Sequence, residues 1–193
     1  GTYKLMVVDA WMLKNGKLER AWRWDGDEEN PVVRSMGAHS MVTADVDGDG
    51  RDEVMLGSCM LDDNGTLLWS SGLGHSDKAY LCKLHPDREG MQVFMVSEPK
   101  KEDGRGVSVV DAATGKLIWS ICHTTYHVGD GMVTDFDPAH PGLECFASED
   151  RKGGSTDRYL LTADGKKLQV AQDEIPGCRN WIWWDADLLR ETF

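Results

Sequence analysis

Three aspartates alternate with small residues in "ADVDGDGRDE", at Asp45, Asp47 and Asp49, and Glu53 follows them. Glycine permits the tight curl that lets alternating carboxylates converge on one point. Calcium takes roughly six to eight oxygens from carboxylates, carbonyls and water. Asp45, Asp47 and Asp49 fill loop positions 1, 3 and 5, the Arg51 carbonyl position 7, and Glu53 position 9. An EF-hand needs a bidentate glutamate at position 12 and then a helix, but Leu56 stands there inside the apolar run "EVMLGS". The expectation is a calcium site in a strand–loop–strand setting.

Two sister loops sharpen this reading. "DFDPAHPGLE" keeps Asp135 and Asp137 and ends on Glu144, in a loop one residue longer, which predicts a second calcium site. "KLHPDREGMQ" has Lys83 and His85 in place of the acids and Gln92 in place of the glutamate. An ammonium at the first position repels a divalent cation, so no metal is expected there. Asp185 and Asp187 begin a fourth loop of the same kind. A site that recurs, and is lost from one copy, reads as structural.

Histidines supply a different chemistry. His39 and His75 lie near the starts of successive units, and His123 and His127 precede the third. If the unit starts gather at one end of the fold, these imidazoles converge, with Glu98 and Glu149 as further metal ligands. The sequence contains no GxSxG, HExxH or phosphate loop.

The elements that must position these residues come from a repeat. "GAHSMVTADVDGDGRDEVMLGS" from Gly37, "GHSDKAYLCKLHPDREGMQVFMVSE" from Gly74 and "GDGMVTDFDPAHPGLECFASED" from Gly129 each read glycine, strand, polar loop, strand. A fourth copy starts at Gly177. Between them recur "DDNGTLLWSSG", "DAATGKLIWSIC" and "TADGKKLQVAQ", where an Asn-Gly, Thr-Gly or Asp-Gly turn leads into a short strand. Trp69 and Trp119 fall at the same place, which predicts a packing role, and Gln169 takes it in the third copy. The opening "KLMVVDAWMLKNGKLERAWRW" looks like the same outer hairpin of an earlier unit. The starts are spaced by 37, 55 and 48 residues, around the roughly 40–50 residues of a four-stranded propeller blade. The fold class expected is therefore all-β. Residues 1–193 would form a segment of a larger β-propeller, with three full blades and partial units at both ends. The remainder of the ring, or a partner chain, is expected to close it.

The totals exclude other classes. A formal charge of −12 argues against sequence-independent binding to nucleic acid, which needs Lys and Arg on phosphates. The chain holds no apolar stretch of membrane-spanning length. GTYKLMVVDA lacks the features of a signal peptide, which leaves localisation open. The five cysteines show no CxxC spacing, and Cys59, Cys122 and Cys145 sit in apolar runs as expected of buried thiols.

The order of several motifs resembles the family-11 polysaccharide lyases, the rhamnogalacturonan lyases with an eight-bladed, calcium-rich propeller. The matching stretches are "WRWD", "GAHSMVTADVDGDGRDE", "DDNG", "GLGHSD", "HPDREGMQVF", "HVGDGMVTDFDPAHPGLECFAS" and "WWDADLLRE". The resemblance implies calcium-dependent β-elimination of the rhamnose–galacturonate backbone of pectin, an acidic polymer, and hence a secreted or periplasmic protein. Gly74, His75, Ser76 and Asp77 match the family's Gly-His-Gly-Asp cleft motif except at Ser76. They make His75 and Asp77 cleft candidates, with His39 added from the repeat. The family's Asp-Val-Gly-Arg-Gly stretch reads His127, Val128, Gly129, Asp130, Gly131, so an acid has become histidine and a base has become acidic. Arg179 and Lys78 are the basic residues expected to matter. The alternative expectation is a non-catalytic calcium-binding propeller that binds glycan or protein.

Overall fold

A computed structural model describes residues 5–29, 33–98, 105–121, 127–150 and 156–175, and the backbone of 181–182 and 191–192. Short β-strands dominate, joined by glycine, asparagine and aspartate turns, and the longest α-helix among the described residues is α1 (Gly26–Glu29). The chain opens with a hairpin of β1 (Val7–Lys14) and β2 (Lys17–Asp25). Asn15-Gly16 makes its turn, both residues at positive φ as a tight two-residue hairpin requires.

Two antiparallel four-stranded meanders follow. The first unit contains β3 (Gly37–Ala44), β4 (Glu53–Gly57), β5 (Cys59–Leu61) and β6 (Leu67–Ser70). The second contains β7 (Ser76–Cys82), β8 (Gln92–Ser97), β9 (Val107–Asp111) and β10 (Leu117–Ser120). Their first strands lie side by side and parallel, bridged at Ala38 and Ser76. The third unit has three strands, β11 (Val128–Thr134), β12 (Glu144–Glu149) and β13 (Arg158–Leu161). Its outer strand is reduced to one bridge between Leu161 and Lys167. Lys166-Lys167 and Gln169 offer little apolar surface there to pack a strand. A short pair, β14 (Trp181–Ile182) and β15 (Glu191–Thr192), closes the described chain.

Successive units stack face to face. Met55 and Met60 of the first unit are buried against Val93, Met95 and Val110 of the second. Phe94, Val96 and Val109 of the second pack on Val133, Cys145 and Leu161 of the third. Cys59 and Cys145 are buried free thiols, as expected, and burial pushes the Cys59 thiol up to about 12.

The matched tryptophans join the units. Trp69 donates its indole N–H to the Ala112 carbonyl at 2.8 Å, and Trp119 does the same to Ala163 at 2.8 Å. Trp22, unmatched at the sequence level, bonds the Asp63 carbonyl at 2.7 Å. Each ring lies flat on a turn glycine of the next unit. A Cβ on Gly65, Gly115 or Gly165 would stand within 2.6 Å of its ring, and all three glycines have positive φ. Only glycine meets both demands, and of the three rings Trp69 is buried while Trp22 and Trp119 are partly buried.

Candidate functional site

The polar loops sit at one end of the hairpins. Glu53, Gln92 and Glu144 each open the second strand of their unit, opposite Ala44, Cys82 and Thr134, and each is no more than 1% exposed. The residue at this position binds the loop backbone from inside. Glu53 Oε2 accepts the Val46 N–H at 2.7 Å, and Glu144 Oε2 accepts those of Phe136 and Asp137 at 2.8 and 2.9 Å. Their other oxygens, Oε1 in both cases, are buried with no hydrogen-bond partner, as is Asp135 Oδ1. Burial raises both glutamates above their ordinary value.

In the first loop, Asp45, Asp47 and Glu53 bring one oxygen each within 4.8 Å of the others. Asp49 stands outside that convergence and caps the Arg51 N–H at 2.8 Å. The Arg51 guanidinium turns away to Asp63 at 2.9 Å, so only its carbonyl is available to the loop. Asp135, Asp137 and Glu144 converge less closely, and Asp137 Oδ2 is engaged with His140 at 3.1 Å. Orphaned, buried carboxylate oxygens fit a hard divalent cation, which takes oxygen ligands.

The second loop is complete as it stands. Gln92 Oε1 accepts the N–H groups of Leu84 and His85 at 3.0 and 3.2 Å, and its amide donates to the Gly90 carbonyl at 3.1 Å. The Lys83 ammonium donates to the Arg88 carbonyl. The loop's backbone groups are thus bound by its own side chains.

His39, His75 and His127 gather at the opposite end of the strands. β7 has seven residues, so the two ends lie roughly 20 Å apart. Gly37, Ser76 and Val128 stand across from Gly57, Ser97 and Glu149, so the repeat equates His75 with His127, one residue earlier in each case. His39 is not their counterpart. Matching the units on Gly37, Gly74 and Gly129 slips the register, because all three first strands are irregular just past their starts. His39 arrives by another route. β3 loses its pairing with β4 between Gly37 and Val42 and bridges β7 there, which swings His39 beside His75.

The cluster is compact. His75 Nδ1 donates to the Gly37 carbonyl at 2.6 Å, which leaves Nε2 facing His39 Nε2 at 3.3 Å. Asp77 Oδ1 lies 3.4 Å from His39 Nε2 and 3.7 Å from His75 Nε2. Its other oxygen lies 3.1 Å from His127 Nε2, which contacts Glu98 Oε1 at 2.7 Å. His127 Nδ1 faces Asp150 Oδ2 at 2.8 Å. Burial raises the Asp77 carboxyl, against the opposing charge of His127 and with that of Glu98. For His127, burial acts to lower the pKa, and hydrogen bonding to Glu98 and Asp150 outweighs it.

Other expected residues lie elsewhere. Glu149 turns from the cluster to accept the Tyr159 hydroxyl at 2.8 Å, and Asp150 takes the part expected of it. The backbone held that signal: Glu98 N–H bonds the His75 carbonyl, and Asp150 N–H bonds that of His127. Ser76 is buried between Ser58 and Ser97, at 3.3 and 3.2 Å, on the other face of the strand from His75 and Asp77. The break in the cleft motif is thus absorbed behind the site. Arg179, His123, Asp185 and Asp187 lie outside the described residues.

The family model described as rhamnogalacturonan lyase family 11, C-terminal domain, matches residues 1–193. The chain belongs to this family. It is 39% identical over 193 residues to the rhamnogalacturonan endolyase YesW of Bacillus subtilis, covering 99% of this chain and 29% of that protein. It is 36% identical to the exolyase YesX of the same organism, again over 99% of this chain and 31% of that protein. The YesX crystal structure superposes with a TM-score of 0.86, covering 100% of this chain and 31% of that one. A Bacillus licheniformis rhamnogalacturonan lyase PL11 superposes at 0.85 and 37% identity, with the same coverage. The chain therefore spans less than a third of the length of the relatives it matches.

Proposed function

We propose that this chain is part of a calcium-dependent polysaccharide lyase that cleaves the rhamnogalacturonan backbone of pectin by β-elimination. The observation that carries this reading is the convergence of His39, His75, Asp77, Glu98 and His127 at one end of the strands, in a member of a lyase family. In this reading calcium sits in the loops of Asp45, Asp47, Asp49, Arg51 and Glu53 and of Asp135, Asp137 and Glu144. There it stabilises the fold.

At the cleft, Asp77, His39 and His75 present one carboxylate oxygen and two imidazole nitrogens to a common point. A cation held there offsets the charge of the uronate carboxylate and acidifies the C–H beside it. The Gly37 carbonyl keeps the His75 proton on Nδ1, so Nε2 faces the cleft. Lys78, the residue after Asp77, and Arg179 are the basic groups proposed to serve proton abstraction or substrate binding.

Stacked units with parallel first strands support a propeller, of eight blades by analogy with the family, with residues 1–193 contributing about half. Trp11, Met12, Leu13 and Leu18 are exposed on the β1–β2 hairpin, where a neighbouring blade would cover them. An acidic plant polysaccharide as substrate implies a secreted or periplasmic protein, with neither nucleic acid nor membrane as partner.

The test is incubation of the full-length protein with rhamnogalacturonan and calcium. Absorbance from unsaturated uronate ends is expected, and its absence from a folded, calcium-loaded protein overturns the proposal. One observation favours a second reading, a non-catalytic calcium propeller for glycan or protein binding: Asp130 stands where the resembled motif carries arginine. That reading predicts glycan binding without product.

A further inference from the structure

β7 carries an extra residue near its start. Ser76 stands across from Ser97 and Lys78 across from Val96, so Asp77 has no residue opposite it. A bulge of this kind re-aims a side chain. Here it sends the Asp77 carboxylate between His39 and His75 on one side and His127 on the other. The third unit has a bulge at the same place, with Gly129 for Asp77 and Val128 for Ser76. Where the bulge aims no carboxylate, the residue before it is apolar.

Behind Asp77 runs a chain of hydroxyls. Ser58, Ser76 and Ser97 are each fully buried. The Ser58 hydroxyl donates to the Gly74 carbonyl at 2.6 Å, which leaves its oxygen to accept from Ser76 at 3.3 Å. Ser76 is then left to accept from Ser97 at 3.2 Å. Each hydroxyl has one proton, so the chain runs one way, from Ser97 through Ser76 and Ser58 to Gly74. It ends on the peptide group that joins Gly74 to His75. Ser58 also donates its backbone N–H to the Met36 carbonyl at 2.9 Å. The next carbonyl along, that of Gly37, takes the His75 Nδ1 proton at 2.6 Å. Ser58, at the turn between β4 and β5, therefore holds both the segment that carries His75 and the segment that orients its ring.

We propose that Ser58 is a positioning residue for the cleft, whose hydroxyl holds His75 through Gly74 and Asp77 through Ser76. The inference rests on the reading of the cleft as the place of chemistry, and it adds a buried residue that acts there only through its neighbours. Without the hydroxyl, the Gly74 carbonyl loses its donor and buried Ser76 loses its acceptor, and both His75 and the bulge are free to shift.

The test compares Ser58→Ala, Ser58→Thr and Ser108→Ala in the full-length protein. It reads kcat and KM on rhamnogalacturonan, and the nitrogen resonances of the His75 ring. Ser58→Ala is expected to lower kcat about 10–100-fold with little change in KM, and to reduce the share of His75 protonated on Nδ1. Ser58→Thr keeps the hydroxyl and should recover most of the loss. Ser108→Ala removes a buried hydroxyl with no hydrogen-bond partner and should leave both readouts unchanged. Thermal unfolding verifies that each variant is folded. If Ser58→Ala does not fold, Ser76→Ala takes its place, with a smaller loss of the same kind. Wild-type kcat in the folded alanine variant, or a folded Ser58→Thr as impaired as alanine, overturns the proposal. If the wild-type protein has no lyase activity, the proposed function fails and the ring resonances alone decide: moved by Ser58→Ala they uphold the inference, unmoved they overturn it.

Discussion

The Asp45 loop and the Lys83 loop occupy the same place in successive units and solve the same problem in opposite ways. In both, the first residue of the second strand reaches under the loop to bind its backbone. Glu53 does so with one oxygen and leaves the other buried and unpartnered. Gln92 does so with its carbonyl oxygen, spends its amide on Gly90, and is joined by a lysine ammonium bonded to the loop carbonyl at Arg88. One loop carries its positive charge covalently, as Lys83, while the other leaves buried carboxylate oxygens that would take a cation from solution under the proposed function. Under the proposed function a single unit trades a metal for a hydrogen-bond network without losing its fold, so the proposed loop cations would be structural.

The comparison predicts first that chelation destabilises the full-length protein strongly. A site at a hundredfold excess of free cation over its dissociation constant adds about 2.7 kcal/mol, so the Asp45 and Asp135 loops together account for about 5 kcal/mol, measured as the calcium dependence of thermal unfolding. Next in size, Glu53→Gln should cost about 2 kcal/mol in calcium and much less in chelator, because glutamine at the equivalent position is already shown to satisfy the backbone. The reverse exchange, Lys83→Asp with Gln92→Glu, should add one calcium per chain by titration and make the unit sensitive to chelator. An unchanged stoichiometry would break the comparison.

The smallest effect is on pH. Burial holds the folded-state pKa of Glu53 and Glu144 above the unfolded value. The folded chain then binds more protons than the unfolded one, so in chelator stability should fall as pH rises through the raised values. In calcium the ionised carboxylates would serve as ligands under the proposed function, and the slope should reverse. Unfolding midpoints measured across that range, with and without calcium, check the sign.

Much of this was legible from residues that act within one hairpin. The aspartate spacing and the Lys83 substitution are local signals that correspond to local contacts, and the paired tryptophans, though they bond across units, repeat at one fixed distance from a turn glycine. Trp22 makes the same contact, but it stands six residues after its turn glycine, Gly16, where Trp69 and Trp119 stand four after theirs. The cleft was legible only in part, because it depends on which strand ends meet. His39 and His75 do converge, through a break in β3 pairing that no periodicity reveals. Asp150 and the equivalence of His75 with His127 were hidden by bulges that shift register by a residue, which in a strand exchanges one face for the other.

The central claim is that loop cations hold the fold while the histidine cluster does the chemistry, at opposite ends of the strands. The most direct measurement sets His39→Ala beside Glu53→Gln in the full-length protein, reading both the unfolding midpoint and unsaturated uronate formation per folded molecule. The His39 side chain is 54% exposed, so its removal leaves packing intact. The account predicts that His39→Ala keeps the midpoint and loses activity, while Glu53→Gln loses midpoint and keeps activity. The opposite pattern, or equal effects of both variants on both readouts, would contradict it.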